Sequence, residues 1–545
     1  MIGRAWRRAL PLVGLALAAC AGAPAERAEP RRLTLVTFSD WHGQLEPLPV
    51  RDGTRERPVG GAAALKTYVD AERARNPRRT LVLTAGDAFG ATPPLSSVLE
   101  DVPAVEALNL LGLDADTLGN HNFDHGLERL ARLMALARYR YVAANIVDPD
   151  GRTIAPPTHV FALDGVRVGV IGVGNPETPH LVAPGRTGRW RFLDPAPVVN
   201  AHARRLRAAG ADVVVVLAHV GAVTVDAAGA PTGPLGDLAR AVEGVDVLLG
   251  DHTDVTVNAT VGDVLVVENR SRGAEYAVVE LDWAPARRAL VRKRAVHRRP
   301  WADRVTPDPA LQALIERYRA QVRPHFDRPV GAAATVLTRS REAESPLGNL
   351  VTDALRAAYG VELAFTVSGG LRDDLPSSYR PADRRLRRPA PGYAPGPPWD
   401  LVHGDFLAVF PFHNATVTLT IPGRVLWEVL EHSVGEGAVR DGRFVNTSGR
   451  FLQISGFTFV FDPRRPPGRR VVDVRLADGR PVPRDDTRYT AVTSDFVFDG
   501  GDGYTMLRPL GGVSRDLIAD TVARAVAARG TVDARLEGRI VALGD

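Results

Sequence analysis

Five short segments of this chain hold the residue types that bind divalent ions or move protons. They are Asp40-Trp41-His42, Gly86-Asp87, Gly119-Asn120-His121, the lone His219, and Asp251-His252-Thr253-Asp254. Each follows an apolar run: Leu33–Phe38, Leu81–Ala85, Asp116–Leu118, Val213–Leu217 and Val245–Leu249. Taken singly, an Asp after a strand is usually a helix cap or a turn residue, and a buried His is usually a satisfied core residue. The ordered series of five is a different matter. Carboxylates, imidazoles and one amide oxygen, with no thiolate, suit borderline or hard divalent ions. Two such ions sharing a carboxylate suit phosphoryl chemistry.

The elements that must position these residues read as an α/β domain. Further Val- and Leu-rich runs at Tyr141–Ala144, Val166–Val173, Val264–Glu268 and Ala277–Trp283 predict buried strands. Helical stretches lie between them at Gly61–Arg73, Val102–Leu111, Gly126–Ala137 and Pro195–Ala209. In such sheets ligands collect outside the carboxyl ends of the strands, so the five loops are expected to share one crevice. The domain is expected to end near Arg294. Pro309–Val322 reads as a linker helix, and a second, smaller α/β domain follows. It has a helix at Leu347–Tyr359 and strands at Leu363–Val367, Thr416–Ile421, Phe457–Phe461, Val471–Leu476 and Tyr489–Thr493. Pro376–Pro398 reads as a surface loop. The expected division is a leader at 1–20, a tether at 21–31, domains at 32–295 and 328–545, and a linker at 296–327.

The series closely resembles the calcineurin-like metallophosphoesterases. Phe38-Ser39-Asp40-Trp41-His42-Gly43-Gln44-Leu45-Glu46-Pro47 and Gly119-Asn120-His121-Asn122-Phe123-Asp124 are similar to motifs of the bacterial 5′-nucleotidase branch. The second half carries further matches: Glu344-Ser345-Pro346-Leu347-Gly348-Asn349, Gly369-Gly370-Leu371-Arg372, Phe410-Pro411-Phe412-His413-Asn414, Gln453-Ile454-Ser455-Gly456 and Gly500-Gly501-Asp502-Gly503-Tyr504. The resemblance implies a four-layer α/β/β/α metallophosphoesterase domain followed by a 5′-nucleotidase C-terminal domain. It implies two metal ions (Mn, Zn, Mg or Ca). Asp40, His42 and Asp87 would hold one, with Asp254 at its fourth protein position. Asp87, Asn120, His219 and His252 would hold the other. His121, paired with Asp124, would stabilise the phosphoryl transition state or the leaving oxygen. Relatives also rotate one domain against the other about a linker.

The same resemblance implies a nucleotide pocket in the second half, and the chemistry of its residues agrees. Guanidinium groups grip phosphate bidentately, which suits Arg341 and Arg372. Aromatic faces stack on a base, the role of Phe412 and Phe496, with Asn414 beside them. Asp502 offers a carboxylate to ribose hydroxyls. Two departures stand out. The family usually carries Gly-His-x-His, or Gln for the second His, where this chain has Gly-x-His-x-Asp ending at Asp254. It also carries Asn where this chain has Val367. A carboxylate at 254 adds a hard oxygen and favours Mn²⁺- or Mg²⁺-like ions.

The sole cysteine, Cys20, closes an apolar stretch (Ala9–Ala19) behind Arg4, Arg7 and Arg8. This resembles a bacterial lipobox, so the chain is expected to be exported and held to a membrane by a lipid on Cys20, facing the periplasm or cell surface. A single cysteine excludes an intrachain disulfide and any multi-cysteine metal site. The formal charge is +5, of which three arginines belong to the leader, so no nucleic-acid partner is expected. Lys66 and Lys293 are the only lysines, which marks a strong arginine bias. The expected function is metal-dependent hydrolysis of nucleoside 5′-monophosphates. The rivals are a relative acting on nucleotide sugars, 2′,3′-cyclic nucleotides or thiosulfonates, and a nucleotide-binding lipoprotein without turnover.

Overall fold

The computed structural model describes residues 29–544 apart from 54, 441, 442 and 447. Cys20, the leader and most of the expected tether lie outside the described residues.

Two six-stranded sheets face each other in the first half. One runs in the order Ala289–Arg298, Tyr276–Ala284, Arg31–Thr37, Thr80–Leu83, Ala115–Asp116 and Arg140–Tyr141. The other runs Val257–Val261, Val264–Glu268, Val247–Leu249, Val213–Ala218, Val166–Val173 and Thr158–Leu163. The central strands are parallel, with Leu35 beside Leu81 and Val215 between Val170 and Val247. Strands buried on both faces have no solvent side to mark, hence the unbroken Val213-Val214-Val215-Val216-Leu217 run. Leu33, Leu35, Leu81 and Leu83 pack against Val168, Val170, Val215 and Val247 between the sheets. Helices Pro195–Ala208 and Pro234–Ala241 cover the second sheet through Val199, Ala203, Leu206, Leu235 and Leu238. Helices Ala62–Arg75 and Val102–Leu111 cover the first through Leu65, Val69, Val105 and Leu108. The result is an α/β/β/α stack.

The first strand starts at Arg31, inside the expected tether, and the last runs to Arg298, four residues past the expected end at Arg294. That strand is a charged edge: Arg292 and Arg294 pair with Asp282 and Glu280 on its neighbour, so no apolar run marks it.

The connecting helix spans Pro309–Phe326 and continues through Pro324, beyond its expected end at Val322. Pro324, two residues from the end, removes one helical hydrogen bond, and the burial of Phe326 beyond it offsets that loss. Leu311, Leu314, Ile315, Tyr318 and Val322 join a core that runs from the first-half helices to Leu347, Leu350 and Phe406. In the second half a five-stranded sheet has the order Leu452–Ser455, Leu363–Val367, Arg488–Ser494, Ala415–Pro422 and Gly512–Leu517. The 376–398 stretch has neither helix nor strand, but it is more than a surface loop. Arg388, 2% exposed, reaches Asp405 with two contacts of 2.6 Å and pins the stretch to the helix His403–Val409. Among the described residues no helix is long and apolar enough to cross a membrane.

One buried acid makes a stability prediction. Asp101 precedes the helix Val102–Leu111, accepts from the Thr92 and Ser96 hydroxyls, and burial pushes its carboxyl up to about 6. A folded value above the ordinary one means that stability from this group is full below roughly pH 4 and is lost as pH rises through about 6. Asp101→Asn keeps the shape and tolerates the local φ of 64°. The variant is expected to unfold at a higher temperature than wild type at pH 8, by on the order of 3 kcal/mol, with the gain absent near pH 4. Thermal unfolding at both pH values checks this.

Candidate metal centre and nucleotide cleft

All five loops meet at the carboxyl ends of the first-half strands. Donor atoms of Asp40, His42 and Asp87 lie within 4.8 Å of one another, as do those of Asp40, His219 and Asp251. His219 Nε2 is 3.1 Å from an Asp87 oxygen and 3.1 Å from Asn120 Oδ1. His252 Nδ1 stands 3.3 Å from His219 Nε2. The second ring nitrogens are already engaged: His42 Nδ1 meets the Gly90 carbonyl at 2.8 Å, and His219 Nδ1 the Ala85 carbonyl at 3.1 Å. That leaves both Nε2 atoms facing the carboxylates, the arrangement of metal-ligating imidazoles.

The glycines of the motifs are required by close approach. A Cβ on Gly119 would fall 2.2 Å from Asp87 Oδ1, and one on Gly86 would fall 2.7 Å from His219 Nδ1. The loops are also held in uncommon conformations. Asp40, His42, Asp87, His252 and Asp254 have φ of 49°, 48°, 46°, 95° and 61°. Non-glycine residues with such φ collect at functional sites, where their neighbours hold them. Here side-chain carboxylates hold the backbone: Asp40 N–H donates to the Asp251 carboxylate (2.9 Å), and His252 N–H donates to the Asp40 carboxylate (2.7 Å).

The electrostatics fit a cation. Burial pushes the carboxyls of Asp40 and Asp251 well above their usual range, and each stands beside Asp87. Burial acts on Asp87 too, but the charge and hydrogen bond of His219 prevail and hold it low. Burial lowers His42 and His252 to about 3, so both are neutral imidazoles. Asp251 Oδ1 is buried without a hydrogen-bond partner. Three carboxylates and three imidazoles packed this tightly suit a divalent ion. Asp251 stands in the fifth segment but received no ligand position from the sequence, because it lies between a strand end and two more conspicuous neighbours. Asp254 is in neither cluster; its carboxylate accepts from the Ser271 N–H (3.0 Å) and faces the cleft.

His121 sits at the rim. Its N–H donates to Asp87 (2.9 Å) and its Nδ1 meets Asp124 at 2.9 Å, leaving Nε2 for the cleft. Asn122 ties this loop to its neighbour by accepting from Gly119 N–H and donating to the Phe89 carbonyl.

The second half closes the other wall. A cleft of about 1380 Å³ is lined by Asp40, His42, Asp87, Asn120, His121 and His252, and also by Arg341, Arg372, Phe412, Asn414, Phe496 and Asp502. Phe412 stacks on the His121 ring (centroids 5.7 Å apart, planes 15°), with the Arg372 guanidinium 5.7 Å from its centre. One face of Phe412 is therefore turned to His121. The Phe496 ring packs against Gly501, whose Cβ would lie 2.5 Å from it. Asn414 donates to Asp495 (2.8 Å), which fixes the turn between them. Burial raises Asp502 to about 6. Val367 is buried and lines the cleft. Other motif residues build the scaffold. Gln453 accepts from the Ser345 N–H, Ser345 caps the helix Pro346–Tyr359, and Glu344 accepts from three donors near Asn349 and Glu537. Two further arginines, Arg272 and Arg339, line the same cleft and escaped notice in a chain so rich in arginine.

A stack of this kind with an Asp/His centre at its strand ends defines a metallophosphoesterase-type protein. Residues 327–509 match the model of the 5′-nucleotidase C-terminal domain. The endonuclease YhcR of Bacillus subtilis is 28% identical over 85% of this chain and 37% of its own length. The cell wall protein Lmo0130 of Listeria monocytogenes is 28% identical over 87% of this chain and 64% of its own. This chain thus spans less than two thirds of either relative. A crystal structure of a 5′-nucleotidase precursor from Thermus thermophilus superposes with a TM-score of 0.79, at 28% identity, over 94% of this chain and all of that one. Residues 327–509 thus carry a 5′-nucleotidase C-terminal domain, and the chain as a whole is similar to 5′-nucleotidases.

Proposed function

We propose that this chain is an exported, metal-dependent hydrolase that converts nucleoside 5′-monophosphates to nucleoside and phosphate. The observation that carries the reading is the meeting of His121–Asp124 with the Asp/His clusters on one side and Arg372 and Phe412 on the other, within one cleft. Two divalent ions held by Asp40, His42, Asp87, Asn120, His219 and His252, with Asp251 or Asp254 beside them, would supply the Lewis acidity that neutralises phosphoryl oxygens. Arg341 and Arg372 grip the remaining phosphate oxygens. His121, oriented by Asp124, stands ready to assist the departing 5′ oxygen with a proton. Phe496 stacks on the base and Asp502 accepts from the ribose. Phosphate grips and ion ligands lie on opposite halves, so substrate entry calls for relative movement. The helix Pro309–Phe326 is packed along the first-half helices, which puts the pivot at its end, between the domains we assign to 32–295 and 328–545. Lipid attachment at Cys20, and a position outside the cytoplasm, complete the proposal; the likeness to a cell wall protein supports export.

The test is a substrate panel on chelated, reconstituted protein: 5′-AMP, UDP-glucose, a 2′,3′-cyclic nucleotide and p-nitrophenyl phosphate, each with Mn²⁺, Mg²⁺, Zn²⁺ or Ca²⁺. We expect 5′-AMP to lead and Mn²⁺ to restore more activity than Zn²⁺, because Asp254 adds a hard oxygen. Zn²⁺ leading would remove Asp254 from the ligand set. Folded protein that hydrolyses nothing with any ion would overturn the reading in favour of a binding module.

A further inference from the structure

A second hollow, of about 330 Å³, lies where three pieces of the chain meet, and it shares no lining residue with the cleft. The hairpin of Leu48–Asp52 and Arg55–Val59 comes from the first half. The last turn of the helix Pro309–Phe326 supplies Arg323, and the 376–398 stretch of the second half supplies Arg380 and Arg384. Two other arginines there are engaged, Arg57 by Asp52 and Asp303, and Arg319 by Glu46 and Glu316. Among the described residues Arg323, Arg380 and Arg384 form no ion pair, although exposed Glu56 also lines the hollow. Two of the three are held in place all the same. Arg380 Nη1 donates to the Ser378 carbonyl at 2.9 Å, which leaves its Nε and Nη2 to face a ligand. The Arg384 guanidinium lies 4.4 Å from the centre of the Tyr393 ring, whose hydroxyl donates to the Pro381 carbonyl at 2.6 Å. Burial and the charge of Arg388 lower the Arg380 guanidinium, so its charge is uncompensated there. Pro47, Pro49, Pro58, Pro381 and Pro391 form much of the remaining wall. Proline has a fixed φ and no N–H to donate, so the walls are stiff and the guanidiniums are the principal donors.

Forked cationic donors in a stiff, preformed hollow match an oxyanion of phosphate geometry. The volume is at the low end of the ~300–1,000 Å³ of small-molecule sites, so the ligand is small. We infer that Arg323, Arg380 and Arg384 form a phosphate-binding site outside the cleft, filled by inorganic phosphate or a small phosphomonoester, and that the bound anion ties the two halves together. The tie has a mechanical effect. The pivot proposed above lies at the end of the helix that carries Arg323, and Arg380 and Arg384 stand on the far side of it. An anion gripped from both sides resists the movement that admits substrate and releases product. This effect on turnover rests on the hydrolase reading; the binding itself does not. Phosphate is a product of that reaction, so the site slows the enzyme as phosphate accumulates.

Calorimetric titration of the ion-loaded full chain with inorganic phosphate, at constant ionic strength, tests the binding in wild type, Arg323→Ala and Arg380→Ala. The Arg323 side chain makes no hydrogen bond or ion pair among the described residues, so its loss should leave the fold and the unfolding temperature unchanged. Wild type should show two sites, one in the cleft and one here. The second should weaken roughly tenfold or more in each variant, the cost of one lost charge-assisted contact. A single site in wild type, or a second site that either variant leaves intact, overturns the inference. The same titration with phenylphosphonate, whose C–P bond resists hydrolysis, separates the two sources: tighter binding than phosphate at this site names an ester, weaker binding the free anion. Kinetics test the tie. Added phosphate should raise KM for 5′-AMP and lower kcat in wild type, and should raise KM alone in Arg323→Ala. A kcat that phosphate leaves unchanged in wild type, or lowers equally in the variant, refutes the tie. If wild type hydrolyses no nucleotide, the hydrolase reading fails, while the titration still decides the site.

Discussion

His121→Ala is expected to lower kcat on the preferred nucleotide by roughly 10²–10⁴-fold, the range for a lost general acid or base, with a much smaller change in KM. The geometry gives the reason. His121 points its Nδ1 at Asp124, which fixes the ring, and its Nε2 toward the cleft. It is not in either donor cluster, so removing it leaves those clusters whole. Two controls sharpen the outcome. Asp124→Asn should reproduce a smaller part of the loss by freeing the ring. A substrate with a good leaving group, p-nitrophenyl phosphate, should be hurt less than 5′-AMP, because its departing oxygen needs no proton. Equal losses on the two substrates would assign His121 to phosphoryl contact instead. Full activity on 5′-AMP would remove it from catalysis.

Loss of Asp87 is the second large effect. Its carboxylate stands with Asp40 and His42 on one side and His219 on the other, and also accepts from the His121 N–H. Asp87→Ala should cost at least the roughly hundredfold in metal affinity that even an outer-sphere partner can cost. Bound metal by elemental analysis, and turnover, should fall together. Asp87→Asn keeps the volume and an oxygen for His121 but drops the charge, so it separates ion binding from loop positioning. Adding ions to chelated wild type should raise its unfolding temperature, and this shift should shrink in both variants. An Asn variant with full metal content and full turnover would show that Asp87 only shapes the loop.

The central strands and the Asp/His loops were legible because burial on both faces forces continuous Val and Leu runs, and each run is followed within two residues by a Gly, Asp or His. The edge strands Thr158–Leu163, Val257–Val261 and Ala289–Arg298 were not. Half of their surface faces water or charge, so their sequences look like loops. Asp251 was hidden by proximity to His252 and Asp254. Arg272 and Arg339 were hidden by abundance, since arginine is the ordinary surface residue here. The stack of Phe412 on His121 joins residues 291 positions apart and has no local signature at all.

The left-handed backbone at Asp40, His42, Asp87, His252 and Asp254 has a consequence for how this protein can adapt to heat. If each such residue costs ~1–3 kcal/mol, the five together approach the ~5–15 kcal/mol by which a typical domain stays folded. The simplest stabilising substitutions, glycine or asparagine at those positions, would remove an imidazole or a carboxylate from the cleft. Heat-tolerant versions of this chain must therefore gain their stability far from the cleft. Those five positions should resist change even where the surrounding helices drift freely.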